Sequence, residues 1–533
     1  PLAEREILRE QAEAACDLAN LSLGQSQLDY ADDGSTTLRY GGNGEDSKAP
    51  DVILQWDEAT ATQAVYLYTQ VALNYSGDAK SFFRNERHPD NQHDPASADR
   101  FRLATIDLGG GTTDIVVTSV VADGSGAHVT LTPEQEFRDG FSLAGDDALL
   151  SVVREHVIEP LRVKLRTSGL NEHVDFALNQ LLGGDRGDMR AVELVRRQQF
   201  AAQIAAPIAL GLLQEYESYD PLVPAPVVAR KFDDFFTPDN YPTPALLDHL
   251  NQELQQKGAQ DFRLQDMSFD ISLPDIDRTV RSVFQEMLRA LGEVVARYRC
   301  DMLILSGRTS RLPAVRAILE ESGALPSHRI LPLHLFRVGA WYPFRDYRQT
   351  VGDPKTTAAV GAMICLLGTG QLHNFNFRSD KLRLRSTARY FGKLDQSGRL
   401  LKMDEFYANL DLDNVDYELP ETPFEFRGPM PLGFRQVPID RWPASRLYNI
   451  EYATEQDAKA LSPLTPLRIT LFRKAKPDTD RRTGEQHMKN PALVIKRIED
   501  REGRTVPSAR LRMRLQTIDQ QEGYWLDTGI LLG

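Results

Sequence analysis

The sequence predicts an α/β lobe interrupted by a mostly helical insertion and followed by a β-rich C-terminal domain. Three observations predict it. Runs of β-branched residues separated by tight turns fill residues 102–137. Strand–helix alternation returns after residue 267, once a helical and Pro-rich stretch has passed. From about residue 371 the hydrophobic period changes to two, the repeat of a half-buried strand. At 533 residues the chain has room for several domains, since a domain commonly takes ~150 residues.

The elements follow in order. Residues 2–21 place Leu8, Ala12, Ala15 and Leu18 near helical spacing, which predicts an amphipathic helix. A polar, Gly-rich loop is expected from Gly24 to Ser47, and residues 1–50 are expected to stand as an N-terminal segment. "DVILQW" reads as a short strand, "DEATATQAVYLYTQVAL" as a helix, and "RNERHPDNQHDPASADR" as an exposed connection. Strands at 102–107, 114–121 and 128–137 then form an antiparallel meander. The helix that follows carries Asp146 and Asp147 at its start, where a carboxylate complements the helix dipole. The insertion, residues 146–267, holds "AVELVRRQQFAAQIAAPIALGLLQEY" and the Pro-rich "DPLVPAPVV" and "FTPDNYPTP". Regular alternation resumes with a helix at 274–299, a strand at 302–306, a helix at 312–322, the strand "RILPL" and a helix at 354–367. Asp353 suits the cap of that last helix and Pro354 its first turn. Residues 51–145 and 268–370 are therefore read as one lobe, and 371–533 as the β-rich domain with "KLRLR", "LRITLF", "ALVIKRI" and "RLRMRLQTI" as strands and "DQSG" and "DREG" as turns. Its alternating arginines read first as a solvated strand face or a protected edge.

Composition narrows the function classes. Net charge is −14, which provides no general footprint for nucleic acid or for an anionic membrane surface. The three cysteines are far apart and odd in number, so a reducing compartment is expected, with a cytoplasmic location and no disulfide framework. The apolar stretch "TAAVGAMICLLG" is too short to span a bilayer, so no membrane insertion is expected.

The chemistry concentrates in "IDLGGGTTD". Three glycines between two strands weaken both unless something compensates. Gly109, Gly110 and Gly111 carry no Cβ, so their N–H groups can approach phosphate oxygens, and Thr112 and Thr113 add hydroxyl donors. Asp107 and Asp114 offer hard oxygen ligands suited to a hydrated Mg²⁺. The competing explanation is a plain hairpin turn, which needs one or two glycines and no flanking acids. Other patterns fail. Ser142 in "GFSLAG" has no paired histidine, His88 and His93 lack metal-ligand spacing, Arg186-Gly187-Asp188 is an adhesion tripeptide by letters only, "DLDNVDYE" lacks the glycine of a calcium loop, and there is no Walker A sequence.

A meander, a helix, an insertion and then strand–helix units is the element order of a ribonuclease-H-like lobe. With that order the chain resembles the actin, DnaK-type chaperone and sugar-kinase ATPase superfamily. "IDLGGGTTD" looks like that superfamily's second phosphate loop, "WDEATATQAVYLY" like the chaperones' connecting helix, and "GFSLAGDDALL" like their loop-to-helix step. "DMLILSGRTSRLPAVRAIL" looks like the adenosine loop and "DPKTTAAVGA" like the helix after it. Within the superfamily, "LSGRTSRLP" beside "IDLGGGTTDI" and a β-rich tail look most like the bacterial virulence factor SrfB family.

The resemblance implies an actin-like lobe that binds ATP and Mg²⁺, with Glu58 near the attacking water and Asp107 as a second catalytic group. It implies Gly109 to Thr113, Gly145, Asp147, Gly307, Arg308 and Arg311 as nucleotide contacts, with Arg311 stacking on the base, and Asp107 and Asp114 at the metal. Arg308 departs from the pattern where the superfamily prefers a second glycine, and "FAAQIAAPIAL" is too apolar for its adenosine-binding helix. Only one phosphate loop is present, and the 57 residues before Glu58 are too few for a first lobe. The expectation is thus the second half of an ATPase, active only with a first lobe. The alternative is a non-hydrolysing interaction protein whose β-rich domain binds a protein partner.

Overall fold

A computed structural model describes residues 2–22, 26–30, 36–40, 52, 56–92, 98–124, 129–183, 191–382, 386, 388–412, 414, 416–439, 442, 444–479, 486–515 and 524–532. The chain forms two compact units, residues 58–381 with 516–533 and residues 1–57 with 382–515. The division differs from the expected one at both ends. The N-terminal segment groups with the β-rich residues, and the end of the chain leaves them for the lobe.

The lobe is built on β1 (Arg100–Leu108), β2 (Thr113–Asp123), β3 (Thr130–Phe141), β4 (Met302–Ser306), β5 (Ile330–Pro332) and β6 (Asn376–Phe377). They form one sheet in the order β6-β3-β2-β1-β4-β5. β2 runs antiparallel to β1 and β3, while β1–β4, β4–β5 and β3–β6 are parallel. The chain leaves the sheet after β3 and re-enters at β4, directly beside β1, with Asp107 opposite Ser306. A strand in that central place is covered on both faces, and Phe101, Leu103, Ala104, Thr105, Ile106 and Leu108 are all buried.

The helices that dress this sheet include α1 (Glu58–Leu67), α2 (Gly145–Val152), α3 (Leu273–Arg297), α4 (Pro313–Glu321) and α5 (Thr356–Leu367). α1 packs on α5, and α3 packs on α2 and α4. Gln63 of α1 donates to Thr105 of β1 (3.1 Å), so α1 is keyed to the central strand by a polar contact as well as by its small side chains. α5 starts later than expected: Lys355 is at its cap without a side-chain cap bond, and Asp353 and Pro354 form the turn before it, where Asp353 Oδ1 accepts from Lys355 N–H (3.0 Å) and its carbonyl from Thr356 N–H (3.0 Å).

The insertion is mainly helical, with Val174–Leu182, Ala191–Phe200, Ala206–Tyr216 and Pro244–Gln256. Wide π turns interrupt its helices at Val153–Ile158, Arg166–Leu170 and Ala201–Ala205. The first and the last lie just before a proline, Pro160 and Pro207. A proline donates no N–H and crowds the carbonyl four residues back, and a wide turn relieves both.

The β-rich unit contains a five-stranded sheet, in spatial order Glu405–Ala408, Tyr390–Lys393, Met430–Arg435, Ser445–Tyr452 and Leu511–Leu515. A second sheet, of four strands, includes Leu467–Thr479 and Gln486–Glu499. Phe391, Leu432, Ile450, Ile469 and Ile498 belong to their common core. Both expected turns use one device: Asp395 Oδ1 accepts from Ser397 and Arg399 N–H, and Asp500 Oδ1 from Glu502 and Arg504 N–H. These backbone bonds hold both carboxyls below the usual carboxylate range.

Some expectations fail. The loop expected from Gly24 to Ser47 contains an antiparallel pair, Ser26–Tyr30 with Thr36–Tyr40. The N-terminal helix forms as Leu2–Ser22, yet Leu8 and Leu18 stay 61% and 67% exposed, so those two leucines form no buried stripe. Val52 and Trp56 of "DVILQW" lie outside any strand, as do Lys381 and Leu382 of "KLRLR". The rest of both stretches, His93 and the tripeptide at 186–188 lie outside the described residues.

Candidate phosphate-binding site

β1 ends and β2 begins within a few residues, and the glycines are the turn. Gly109 N–H donates to Thr112 O (2.9 Å) and closes it. The glycine carbonyls set the direction of each peptide. Gly109 O accepts from Gly145 N–H (3.0 Å) and from Thr309 Oγ1 (3.0 Å), and Gly110 O accepts from Asp146 N–H (2.8 Å). In a trans peptide the N–H points opposite to the C=O. Anchoring these two carbonyls to the start of α2 and to Thr309 therefore turns the N–H groups of Gly110 and Gly111 away from that support. No hydrogen bond among the described residues takes up the N–H of Gly110, Gly111 or Thr112. Gly110 to Thr112 are exposed.

The acids and a lysine gather beside this loop. Asp107 and Asp114 are paired directly across β1 and β2, so both side chains leave the same face of the sheet. Thr112 Oγ1 donates to Asp114 Oδ2 (3.3 Å). From the first turn of α1, Glu58 stands near enough to Asp107 for its charge to act on that carboxyl. From the start of α5, Lys355 Nζ reaches Glu58 Oε2 (3.3 Å), and it would stand 4.0 Å from a Cβ placed on Gly109. Lys355 is a member of this cluster that sequence reading missed.

Asp107 is the unusual member, 6% exposed, with an Oδ1 that has no hydrogen-bond partner among the described residues. Burial pushes its carboxyl up to about 7; Lys355 works against this, and Glu58 and Asp114 add to it. Stability follows from the sign. An unfolded aspartate titrates near ~3.9, so as pH rises from about 4 to about 7 the folded state keeps a proton that the unfolded state has lost, and stability falls. Above pH 7 the penalty is complete. Asp107→Asn removes it, and we expect the variant to exceed wild type by roughly 1–3 kcal/mol at pH 8, the gap shrinking towards pH 5. Urea denaturation at both pH values checks this, and a gap that does not change with pH removes the buried-acid reading.

β4 delivers the second loop. Gly307 has φ +80°, and a Cβ there would overlap Leu108 O and lie 2.5 Å from Asp107 Oδ1, so only glycine lets the chain turn so tightly against the end of β1. Arg308 is exposed. Arg311, expected to stack on a base, instead gives its Nε to Glu217 Oε2 (2.9 Å), at the end of the long insertion helix. The preceding Tyr216 is fully buried; its hydroxyl donates to Asp277 (2.5 Å) and accepts from Ala314 N–H (3.0 Å).

Other expected contacts are committed elsewhere. Thr113 is buried and donates to Leu143 O (2.7 Å), so it anchors the turn. Asp147 Oδ2 accepts from Ala144 N–H (2.7 Å) and holds the start of α2. Gly145 supports the loop through the bond from its own N–H to Gly109 O. Among the described residues no group of three or more His, Cys, Asp or Glu is placed to hold a metal ion. A Mg²⁺ that keeps its waters and takes phosphate oxygens needs only one or two protein carboxylates. Asp107 and Asp114 fit that more modest demand, and the orphan Oδ1 of Asp107 is an acceptor that a cation would satisfy.

A protein-family model described as "Virulence factor SrfB" matches residues 1–532. No curated protein matches the chain. Among the described residues no helix is long and apolar enough to cross a membrane.

Proposed function

We propose that this chain, which belongs to the virulence factor SrfB family, uses its α/β lobe to bind the phosphates of Mg·ATP on residues 109–112. The family gives the chain a virulence-associated role; the nucleotide is our reading. The observation that carries it is the turn itself, with carbonyls tied down, N–H groups turned outward, and Lys355, Glu58, Asp107 and Asp114 converging beside them. A ribonuclease-H-like, actin-like assignment is supported by the strand order β3-β2-β1-β4-β5, in which β2 alone is antiparallel to its neighbours.

The proposed roles follow from chemistry. Gly110, Gly111 and Thr112 donate N–H bonds to phosphate oxygens, and Lys355 adds a point charge. Asp107 and Asp114 would hold Mg²⁺, which when bound neutralises phosphate charge. Glu58 orients a water and, with Asp107, accepts its proton. Turnover is proposed to require a second lobe that closes over the ligand.

A half-enclosed ligand binds weakly. For this chain we expect a millimolar Kd for Mg·ATP, on the order of 4 kcal/mol or less. Lys355→Met should weaken it a further fivefold to tenfold, ~1–1.4 kcal/mol. Titration followed by ³¹P NMR measures both, and micromolar binding by the chain alone would overturn the half-cleft reading.

A second reading, a non-hydrolysing interaction protein, draws support from the Arg311–Glu217 ion pair, which occupies the arginine that would stack on a base. If that pair persists with ligand present, Mg·tripolyphosphate should bind as well as Mg·ATP, whereas a base-reading site prefers ATP.

A further inference from the structure

Among the described residues, the donors that hold the carbonyls of Gly109 and Gly110 are of two kinds. Gly145 N–H holds Gly109 O (3.0 Å) and Asp146 N–H holds Gly110 O (2.8 Å). These are backbone groups at the start of α2, and they do not depend on a side chain. The remaining donor is the Thr309 hydroxyl, 3.0 Å from Gly109 O, which arrives from a loop 200 residues away. That loop is closed on itself. Gly307 O accepts from Ser310 N–H (3.3 Å) and Ser310 Oγ (2.7 Å), and Thr309 O accepts from Leu312 N–H (3.1 Å). Arg311, at the end of the same turn, is tied to Glu217 (2.9 Å). The hydroxyl fits closely against α2, where a Cβ on Gly145 would overlap Thr309 Oγ1.

A peptide between two glycines can turn over at little steric cost, because neither residue carries a Cβ. If the Gly109–Gly110 peptide did so, the Gly110 N–H would turn inward and the Gly109 carbonyl oxygen would take its place. An anionic ligand would then meet a partial negative charge where it needs a donor. We propose that Thr309 is a positioning residue: its hydroxyl, added to the Gly145 N–H, holds this peptide with the N–H outward and so sets the affinity of the turn for an anionic phosphate ligand. Folding stability should be nearly indifferent to the hydroxyl. Gly109 O keeps the Gly145 N–H without it, so no acceptor is orphaned. The role rests on the glycine turn being a phosphate site.

The test uses the full chain titrated with Mg·ATP and followed by ³¹P NMR. Thr309→Val keeps the shape of the side chain and removes the donor. It should raise Kd about fivefold, the weight of one ordinary hydrogen bond, with the melting temperature unchanged. Thr309→Ser keeps the donor and should bind like wild type. A threonine that only fills space gives the opposite order, with Thr309→Val like wild type and Thr309→Ser weakened. That order overturns the positioning role and leaves the phosphate site standing, as does a loss in both variants or in neither. If wild type does not bind Mg·ATP, the phosphate-site reading falls and this role falls with it.

Discussion

Gly361→Ala is expected to destabilise the lobe by roughly 2–4 kcal/mol, the upper range of overpacking costs. The sign is the informative part. In an exposed helix interior, replacing glycine by alanine stabilises by about 1 kcal/mol. Here α1 and α5 cross with Gly361 at the contact, and a Cβ would overlap the Ala61 carbonyl and stand 2.7 Å from Ala61 Cα. All three atoms are backbone, so no side chain can rotate away and the helices themselves must separate. These two helices bring Glu58 and Lys355 together, and Thr62 to Thr357 (3.0 Å). Widening the crossing therefore loosens the acid–lysine pair as well as the core. Urea denaturation reads the stability, and a variant as stable as wild type or more so would show that the close crossing is not built as described.

The strands of the lobe were legible because their physics is local. β-branched runs and glycine punctuation placed β1, β2 and β3 within a few residues of where they form, and "MLILS" is the strand Met302–Ser306. The pairing of β1 with β4 across the insertion needed an argument about element order, since nothing in either strand names its neighbour. The hairpin at residues 26–40 was hidden by its own composition: glycine, aspartate and serine around it read as loop, and the pairing of two short strands is not visible in a periodic pattern. At the site, Asp107 and Asp114 are legible because carboxylates beside a glycine turn suggest phosphate chemistry, and Glu58 only through the resemblance of "WDEATATQAVYLY" to the chaperones' connecting helix. Lys355 was missed because its partner lies 297 residues away and one lysine at a helix start carries no signal. Arg311 illustrates the opposite error. Its place in the loop was read correctly, but its pairing with Glu217 depends on where the insertion ends in space. The tail shows the same limit, since no spacing in residues 524–532 predicts hydrogen bonds to Leu182 and Arg154.

The largest functional effect should come from Glu58. In a protein that hydrolyses ATP with both lobes present, Glu58→Gln is expected to lower turnover by roughly 10²–10⁴-fold, the usual size for a general base and ~3–5 kcal/mol in barrier. Glutamine keeps the shape of the side chain, so nucleotide affinity should change little. It removes the charge that faces Lys355 and, with it, a negative neighbour of Asp107. That second loss has its own signature. Glu58 is one of the groups that raise the Asp107 carboxyl, so without it Asp107 should ionise at lower pH. The acid limb of the residual pH–rate profile should move in the same direction, because a proton acceptor works only when deprotonated. The competing account is that Glu58 merely complements the dipole of α1, worth about 0.3–1 kcal/mol of stability. It predicts a slightly lower melting temperature, near-normal turnover and a limb that stays in place. That outcome would remove Glu58 from the chemistry and favour the reading in which the lobe binds phosphate without hydrolysing it.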